Sequence, residues 1–329
     1  MLGGVPSPRR RRAAAGTYIE EGCPETESVF CDSPFPVHIA APARIGLQTG
    51  KVGIAMRYAV IGGDVRFAHL VSMLNESERE AVGFLQEHAG GEARPLKELA
   101  NYSALISNWP MRWPLSDADT SKEEILGNIA PGSVLLLCGP GFPKEKRWDL
   151  QYVNLWADER LLQENAYLTA EAAVASAMRR SRISMAGARC AVVGYGRIGR
   201  SLTEILLNQG AEVAVLSRTE AKRRAAQESG AEAVDLDNAA AALRGRQIIF
   251  STPPAQVLDE AALAAVDAGA ELIDLASPPY GFDMEAAKAL GLNAWREPGL
   301  PGRYCPLSAA RVLYGAVIRW EEAEENGSN

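Results

Sequence analysis

Histidine is scarce in this chain: three residues, His38, His69 and His88, scattered with no pair at metal-ligand spacing. No metal site is legible from them. The five cysteines (Cys23, Cys31, Cys138, Cys190, Cys305) include no CxxC and form no even framework. That argues against a thiolate zinc site and against a disulfide scaffold, and makes a reducing cytosol the natural setting. Cys138 and Cys190 fall in β-type runs and read as small core residues. No apolar run reaches the roughly 18–20 residues that a transmembrane helix needs. There is no basic excess either. The 34 Lys and Arg are outnumbered by 41 Asp and Glu, and the net charge of −7 makes no case for nucleic acid binding by bulk charge.

What the chain does have is a glycine turn in a complete context. Apolar residues 190–193 lead into Gly194-Tyr195-Gly196-Arg197-Ile198-Gly199, a helix-period segment follows, and a second β-type run spans 212–216. Strand, turn, helix and strand in that order turn a weak glycine motif into a dinucleotide-binding prediction. Gly194 permits the tight turn, Gly196 lets the backbone approach a pyrophosphate, and Gly199 lets the helix pack on the sheet. The free amides at the helix start complete an anion site.

The second run ends in Ser217-Arg218-Thr219. NAD-preferring enzymes place an acid about 20 residues past the glycines, bonded to the ribose 2′-hydroxyl. Here a hydroxyl and a guanidinium stand in its place, which suits a 2′-phosphate. The reading is NADP, with NAD as the alternative. The competing view of Arg218 is a solvated charge at a strand end.

The length of 329 residues suits two domains. Residues 1–55 do not resemble the rest: basic PSPRRRRAAAG, then a stretch rich in breakers and isolated charges. No apolar segment follows the arginines, so a signal peptide is not supported. Acidic residues Glu20, Glu21, Glu25 and Glu27 count against an organellar leader. Met56 stands directly before a first strand. We expect 1–55 to be a disordered tail or an over-extended start.

From Met56 onward the pattern is α/β: two doubly wound parallel-sheet domains, the second a Rossmann dinucleotide-binding domain. A flavodoxin-like substrate domain covers 56–157, with strands near 58–61, 81–84, 104–107, 133–137 and 151–155. Helices are expected near 67–75 and 122–128. A connecting helix covers 158–184. The Rossmann domain covers 185–302, with strands near 190–193, 212–216, 233–235, 247–251, 271–275 and 292–295. Residues 303–329 form a helix over 306–321 that returns to the first domain, then a frayed acidic tail. Ligands of such folds bind at the carboxyl ends of the strands. The loops there are 62–66, 108–112, 139–143, 251–254, 276–281 and 297–304.

Those loops carry a specific resemblance. AVIGGDVRF, ENAYLTAEAAVASAM, VVGYGRIGRSL, IIFSTPP, IDLASPPYGFD and EPGLPGRYCPLSAARVL occur in this order from Met56 to near the end. In that combination the chain resembles the A-subunit family of dipicolinate synthase. It departs from the family's usual form at Ser277-Pro278-Pro279-Tyr280 and at Cys305, Leu307 and Ser308. The resemblance implies a cytoplasmic oxidoreductase of sporulating bacteria that makes pyridine-2,6-dicarboxylate. It further implies a dihydro- or hydroxytetrahydro-dipicolinate substrate from the lysine branch, NADP or NAD as acceptor, and a flavoprotein-like second subunit. A homo-oligomer is also expected.

Aromatising a cyclic imine dicarboxylate requires hydride removal from one ring carbon and proton removal from another. Two substrate carboxylates call for cationic subsites. Arg66 and Arg303 are the candidates, with Thr169 in the T-A-E run beside them. The competing views are a salt bridge of Arg66 with Asp64 and a solvated Arg303. For the proton, Asp64 and Glu171 are the expected catalytic carboxylates, with neither preferred. His69 reads as a packing or surface residue, and Tyr304 as a hydrogen-bond donor. Thr252 and Pro253 fit a loop beside the cofactor ribose, and Ser277 fits the carboxamide, although Ser and Pro are ordinary turn residues too. The aromatic loop from Trp109 to Trp113 suits either closure over a planar ring or docking of a partner. Two other classes stay open: another NADP-dependent 2-hydroxy or 2-amino acid dehydrogenase, and a non-catalytic nucleotide sensor.

Overall fold

Alternate residues of one strand bury into opposite layers, and this organises both halves of the molecule. In strand β1 (Arg57–Ile61), Tyr58 and Val60 enter one core while Ala59 and Ile61 enter another. In β6 (Arg189–Val193), Cys190 and Val192 face one layer, Ala191 and Val193 the other. Strands buried on both faces read as unbroken apolar runs, which is why these segments are legible in the sequence. The structure is a computed structural model that describes residues 56–86, 94–111, 120–144 and 146–327. The expectations for residues 1–55, His88, Arg112 and Trp113 lie outside the described residues.

The first lobe runs β1, α1 (Val65–Glu76), β2 (Glu80–Phe84), β3 (Ala104–Asn108), α2 (Lys122–Gly127), β4 (Val134–Cys138) and β5 (Gln151–Asn154). Its parallel order is β2-β1-β3-β4-β5, the flavodoxin-like arrangement. Helix α3 (Glu159–Ser181) follows. The Asp158 carboxylate caps its start by accepting from the amides of Arg160 and Leu161. Arg182 ends it in the left-handed conformation.

The second lobe runs β6, α4 (Arg197–Asn208), β7 (Glu212–Leu216), α5 (Glu220–Glu228), β8 (Glu232–Val234), α6 (Ala239–Leu243), β9 (Ile248–Ser251), α7 (Glu260–Ala264), β10 (Glu271–Asp274), α8 (Met284–Ala289) and β11 (Asn293–Arg296). Its six parallel strands are ordered β11-β10-β9-β6-β7-β8, the Rossmann order with its reversal between β6 and β9. Both lobes belong to one compact unit, Gly53–Asn329.

One short helix and one long helix close the described chain. Helix α9 (Leu300–Tyr304) leaves β11, and α10 (Pro306–Gly327) returns to the first lobe. There Leu313, Ala316 and Val317 join the core of Tyr58, Phe67 and Leu70. The Glu321 carboxylate accepts from the Arg79 guanidinium at 2.7 Å and from the Tyr58 hydroxyl. Arg319 pairs with the capping Asp158 at 2.6 Å. The acidic tail expected to fray after 321 is instead helical to Gly327. Glu321 pins the last turns to β1, and Glu and Ala then extend the helix at little cost. No helix among the described residues is long and apolar enough to cross a membrane.

Candidate functional site

The phosphate turn is built as its glycines require. Gly194 has φ +90°, and a Cβ there would stand 2.6 Å from Thr252 Oγ1 and 2.9 Å from Pro253 Cγ. A Cβ on Gly199 would fall on the Gly194 carbonyl oxygen, so α4 packs against the turn through bare backbone. Gly196 caps α4 in an extended conformation, and the space a Cβ would take there is open. That opening, above the unpaired first amides of a twelve-residue helix, fits a pyrophosphate. Thr252 Oγ1 donates to the Val193 carbonyl at 2.9 Å, which holds the β9 loop against the turn.

Three fingerprint side chains turn elsewhere. Tyr195 is buried and its hydroxyl lies 3.3 Å from the Ala225 carbonyl and from Ser229 Oγ, so its ring braces α5. Ile198 packs on the core of the second lobe. Arg197, at the first position of α4, pairs with Glu159 at 2.7 Å and ties the turn to α3.

At the end of β7, Ser217 is buried and Arg218 is exposed. Thr219 caps α5 without a side-chain bond. Arg223 fixes this corner: its Nη1 donates to the carbonyls of Ser217 and Arg218, each at 2.8 Å, and it pairs with Asp235 at 2.7 Å. A cleft of about 380 Å³ opens beside it, with Arg218, Leu236, Asp237, Ala240, Gln256 and Val257 in its walls. Motif spacing does not point to Arg223; the sign available in the sequence is its place one turn into α5, within reach of the strand end.

The loop after β10 is organised by a buried carboxylate whose role no motif announces. Asp274 is 1% exposed. It accepts from the amides of Ala276 at 3.1 Å and Gly281 at 3.2 Å, closing the loop that carries the exposed Ser277. Burial pushes its carboxyl above the usual range, against the pull of those two amides and of Arg296. Arg296 lies 3.8 Å from Asp274 and stacks 3.7 Å over the Tyr280 ring.

The other side of the site begins at the end of β1. Asp64 caps α1, accepting from the Arg66 amide, and grips the Arg66 guanidinium with Nε at 2.8 Å and Nη2 at 2.7 Å. The salt bridge that competes with a substrate role for Arg66 is therefore present. It engages the Nε and Nη2 edge and holds the cation at the strand's carboxyl end. Helix α9 of the second lobe comes against this pair: a Cβ on Gly302 would stand 2.8 Å from Asp64 Oδ2 and 3.1 Å from Arg66 Nε. Cys305 follows, half-buried. Burial pushes its thiol up, the nearby Glu171 carboxylate adds to that, and Arg66 opposes it. Asp64, Arg66, Gly302, Cys305 and the exposed Glu171 thus gather where the lobes meet. The other described cysteines are core residues, with the thiols of Cys138 and Cys190 pushed up to about 12 by burial.

Thr169, Arg303 and Tyr304 each have a partner within the chain. The Thr169 hydroxyl donates to the Asn165 carbonyl of its own helix at 2.7 Å, and the residue is buried. Arg303 lies in the separate helix α9, which ends at the non-helical Cys305 before Pro306 opens the last helix. Its Nη1 pairs with Glu297 at 2.6 Å. Glu297 itself is 7% exposed and also accepts from Ser176 Oγ at 2.7 Å. Burial would raise its carboxyl, but the Ser176 hydroxyl and the Arg303 and Arg180 cations outweigh that and hold it below the usual range. The Tyr304 hydroxyl accepts from Arg179 at 2.9 Å, which leaves its own proton available for donation. His69 is half-buried on α1. Trp109 stacks under Lys122 with its backbone carbonyl against Gly139, a packed position in the first lobe.

Comparison with known proteins agrees with this architecture. The profile of the family described as "NADP oxidoreductase coenzyme F420-dependent" matches residues 189–278, which contain the phosphate turn and the Asp274 loop. The chain is 25% identical to the dipicolinate synthase A-subunit of Bacillus subtilis (strain 168), over 80% of this chain and 95% of that one. The structure of the dipicolinate synthase A-subunit from Bacillus halodurans superposes with a TM-score of 0.72 at 24% identity, covering 82% of this chain and 99% of that one. D-lactate dehydrogenase from Escherichia coli has the same build at a TM-score of 0.55 and 17% identity, covering 82% and 98% of the two chains. Together they support an NAD(P)-dependent dehydrogenase of two Rossmann-like lobes.

Proposed function

We propose that this protein oxidises a dihydro- or hydroxytetrahydro-dipicolinate to pyridine-2,6-dicarboxylate, with NADP as the acceptor. One observation carries the reading: a guanidinium, Arg66, is clamped by Asp64 at the carboxyl end of β1, where α9 brings the nucleotide-binding lobe against it. A cation held by a carboxylate along one edge is pre-oriented for an anionic substrate group on another. The similarity to the dipicolinate synthase A-subunit, over nearly the whole of that chain, supports the dicarboxylate.

Dihydrodipicolinate loses a hydride from one ring carbon and a proton from another, and the ring becomes aromatic. The hydroxytetrahydro form loses water as well. A bound nicotinamide supplies the hydride acceptor. The residues that would hold the cofactor are the amides at Gly196 and Arg197, the Thr252–Pro253 loop, the Ser277 loop, and Ser217, Arg218 and Thr219. The proton falls to a carboxylate. Asp64 already serves Arg66, while Glu171 is exposed beside Cys305; both belong to the site, and Glu171 is the more accessible acceptor. A homo-oligomer and a flavoprotein-like second subunit belong to this proposal too.

The test is direct. The protein, with and without a flavoprotein partner, is given freshly made hydroxytetrahydrodipicolinate and NADP. NADPH fluorescence and pyridine-dicarboxylate absorbance should rise together, and silence in both preparations would sink the reading. The alternative, a 2-hydroxy acid dehydrogenase, is favoured by the likeness to D-lactate dehydrogenase and would be seen as turnover of D-lactate. Cofactor choice has its own test. Arg218→Asp should weaken NADPH binding by about 10–100-fold, the worth of about 1.5–3 kcal/mol for a charge-assisted bond, and leave NADH binding nearly unchanged. Equal losses for both cofactors would show that Arg218 does not read the 2′-phosphate.

A further inference from the structure

Glu297 is a buried carboxylate that the proposed chemistry does not use. It directly follows β11, its amide donates to the Asp274 carbonyl at 3.0 Å, and its two oxygens are committed in different directions. Oε1 accepts from Ser176 of the connecting helix α3 at 2.7 Å. Oε2 accepts from Arg303 of α9 at 2.6 Å. Three residues on, Leu300, Pro301 and Gly302 of α9 are buried, and Gly302 lies against the Asp64–Arg66 pair. At Gly302 a methyl group would stand 2.8 Å from Asp64 Oδ2, so α9 is seated directly against the pair with no side chain between them. Arg179, donating to Tyr304 from the same face of α3, supports the far end of α9.

We infer that Glu297 is a positioning residue for the substrate side of the site: by pinning α9 to α3 it sets where Gly302 presses on Asp64 and Arg66. A buried carboxylate that loses its partners, or partners that lose it, cannot hold their geometry, because the unpaired groups seek water. Motion of α9 then bears on Arg66 directly through Gly302, whereas its link to the phosphate turn on β6 and α4 runs through Leu300 and the shared apolar core of the second lobe. The ligand half of this inference rests on the dicarboxylate reading; the mechanical half does not.

The experiment separates the two. Amide hydrogen exchange is followed in the full chain for Glu297→Gln and Ser176→Ala, the second being the milder change should the first fold poorly. Exchange should quicken at least threefold in peptides covering 62–70 as well as 297–304, while peptides covering 190–200 stay as in the wild type. NADPH affinity should hold within twofold. Pyridine-2,6-dicarboxylate, used as the calorimetric probe, should bind about tenfold more weakly to Glu297→Gln, with Glu297→Asp recovering part of the loss. Faster exchange confined to 297–304, or spread evenly over both lobes, overturns the inference. Quickening at 62–70 in a protein whose wild type ignores pyridine-2,6-dicarboxylate would uphold the coupling and remove the substrate reading.

Discussion

Arg66→Ala is expected to lower kcat/KM for the dicarboxylate substrate by about 10- to 150-fold, the worth of about 1.5–3 kcal/mol for a charge-assisted hydrogen bond to the substrate carboxylate. Its side chain is one-fifth exposed and fixed by two bonds to Asp64, so little else moves into its place. The loss should fall mainly on substrate affinity. NADPH binding should stay within about twofold, because the phosphate turn is built on β6 and α4 of the other lobe. Arg66→Lys keeps the charge but gives up the planar two-point grip, and should recover only part of the affinity. Calorimetry with pyridine-2,6-dicarboxylate and steady-state kinetics check both statements. If Arg66→Ala kept wild-type affinity for the dicarboxylate, the pair would be only a helix cap and lobe contact.

Gly199→Ala should act on the other half of the reaction. Its new methyl would overlap the Gly194 carbonyl oxygen, and backbone cannot step aside as the tip of a side chain can. Either α4 lifts from the turn or Gly194 leaves its φ of +90°; both displace the amides that would cradle the pyrophosphate. We expect NADPH binding to weaken by at least about 100-fold and the melting temperature to fall by several degrees, since overpacking costs typically about 1–3 kcal/mol. Dicarboxylate binding without cofactor should change little. A variant that binds NADPH as the wild type does would mean the turn relaxes freely, and the fingerprint would lose its explanatory weight. Gly196→Ala makes a useful contrast. Its methyl meets open space, so any loss there reports on the ligand and not on the fold.

Much of the fold is legible in the linear chain because the signals are local. Strand runs buried on both faces, a helix free of Gly and Pro over 159–181, and glycines spaced for a turn need no knowledge of distant residues. The two sheets form where those runs place them, shifted by a residue or two at the ends. Arg303 defeats the sequence for a reason of the opposite kind. Its partner Glu297 is six residues away, but the pairing exists only because Glu297, just past β11, is buried against Ser176, 121 residues from it in sequence. The helical acidic tail is hidden likewise, since Arg79 and Tyr58 lie more than 240 residues from Glu321. Tyr195 shows a third case. A motif fixes its backbone, whereas α5 decides where its ring goes.

By itself the sequence determined two parallel α/β lobes, a dinucleotide turn at 194–199 and an acid-free strand end at 217–219, because each follows from spacing and residue type over a few turns of chain. The tertiary structure alone decided which charges meet. It placed Arg66 in the grip of Asp64 under Gly302, sent Arg303 to Glu297, and made Asp274 the clasp of its loop. Ion pairs and buried carboxylates are settled by what packs around them, and packing at the lobe junction is a property of the folded chain, not of any segment of it.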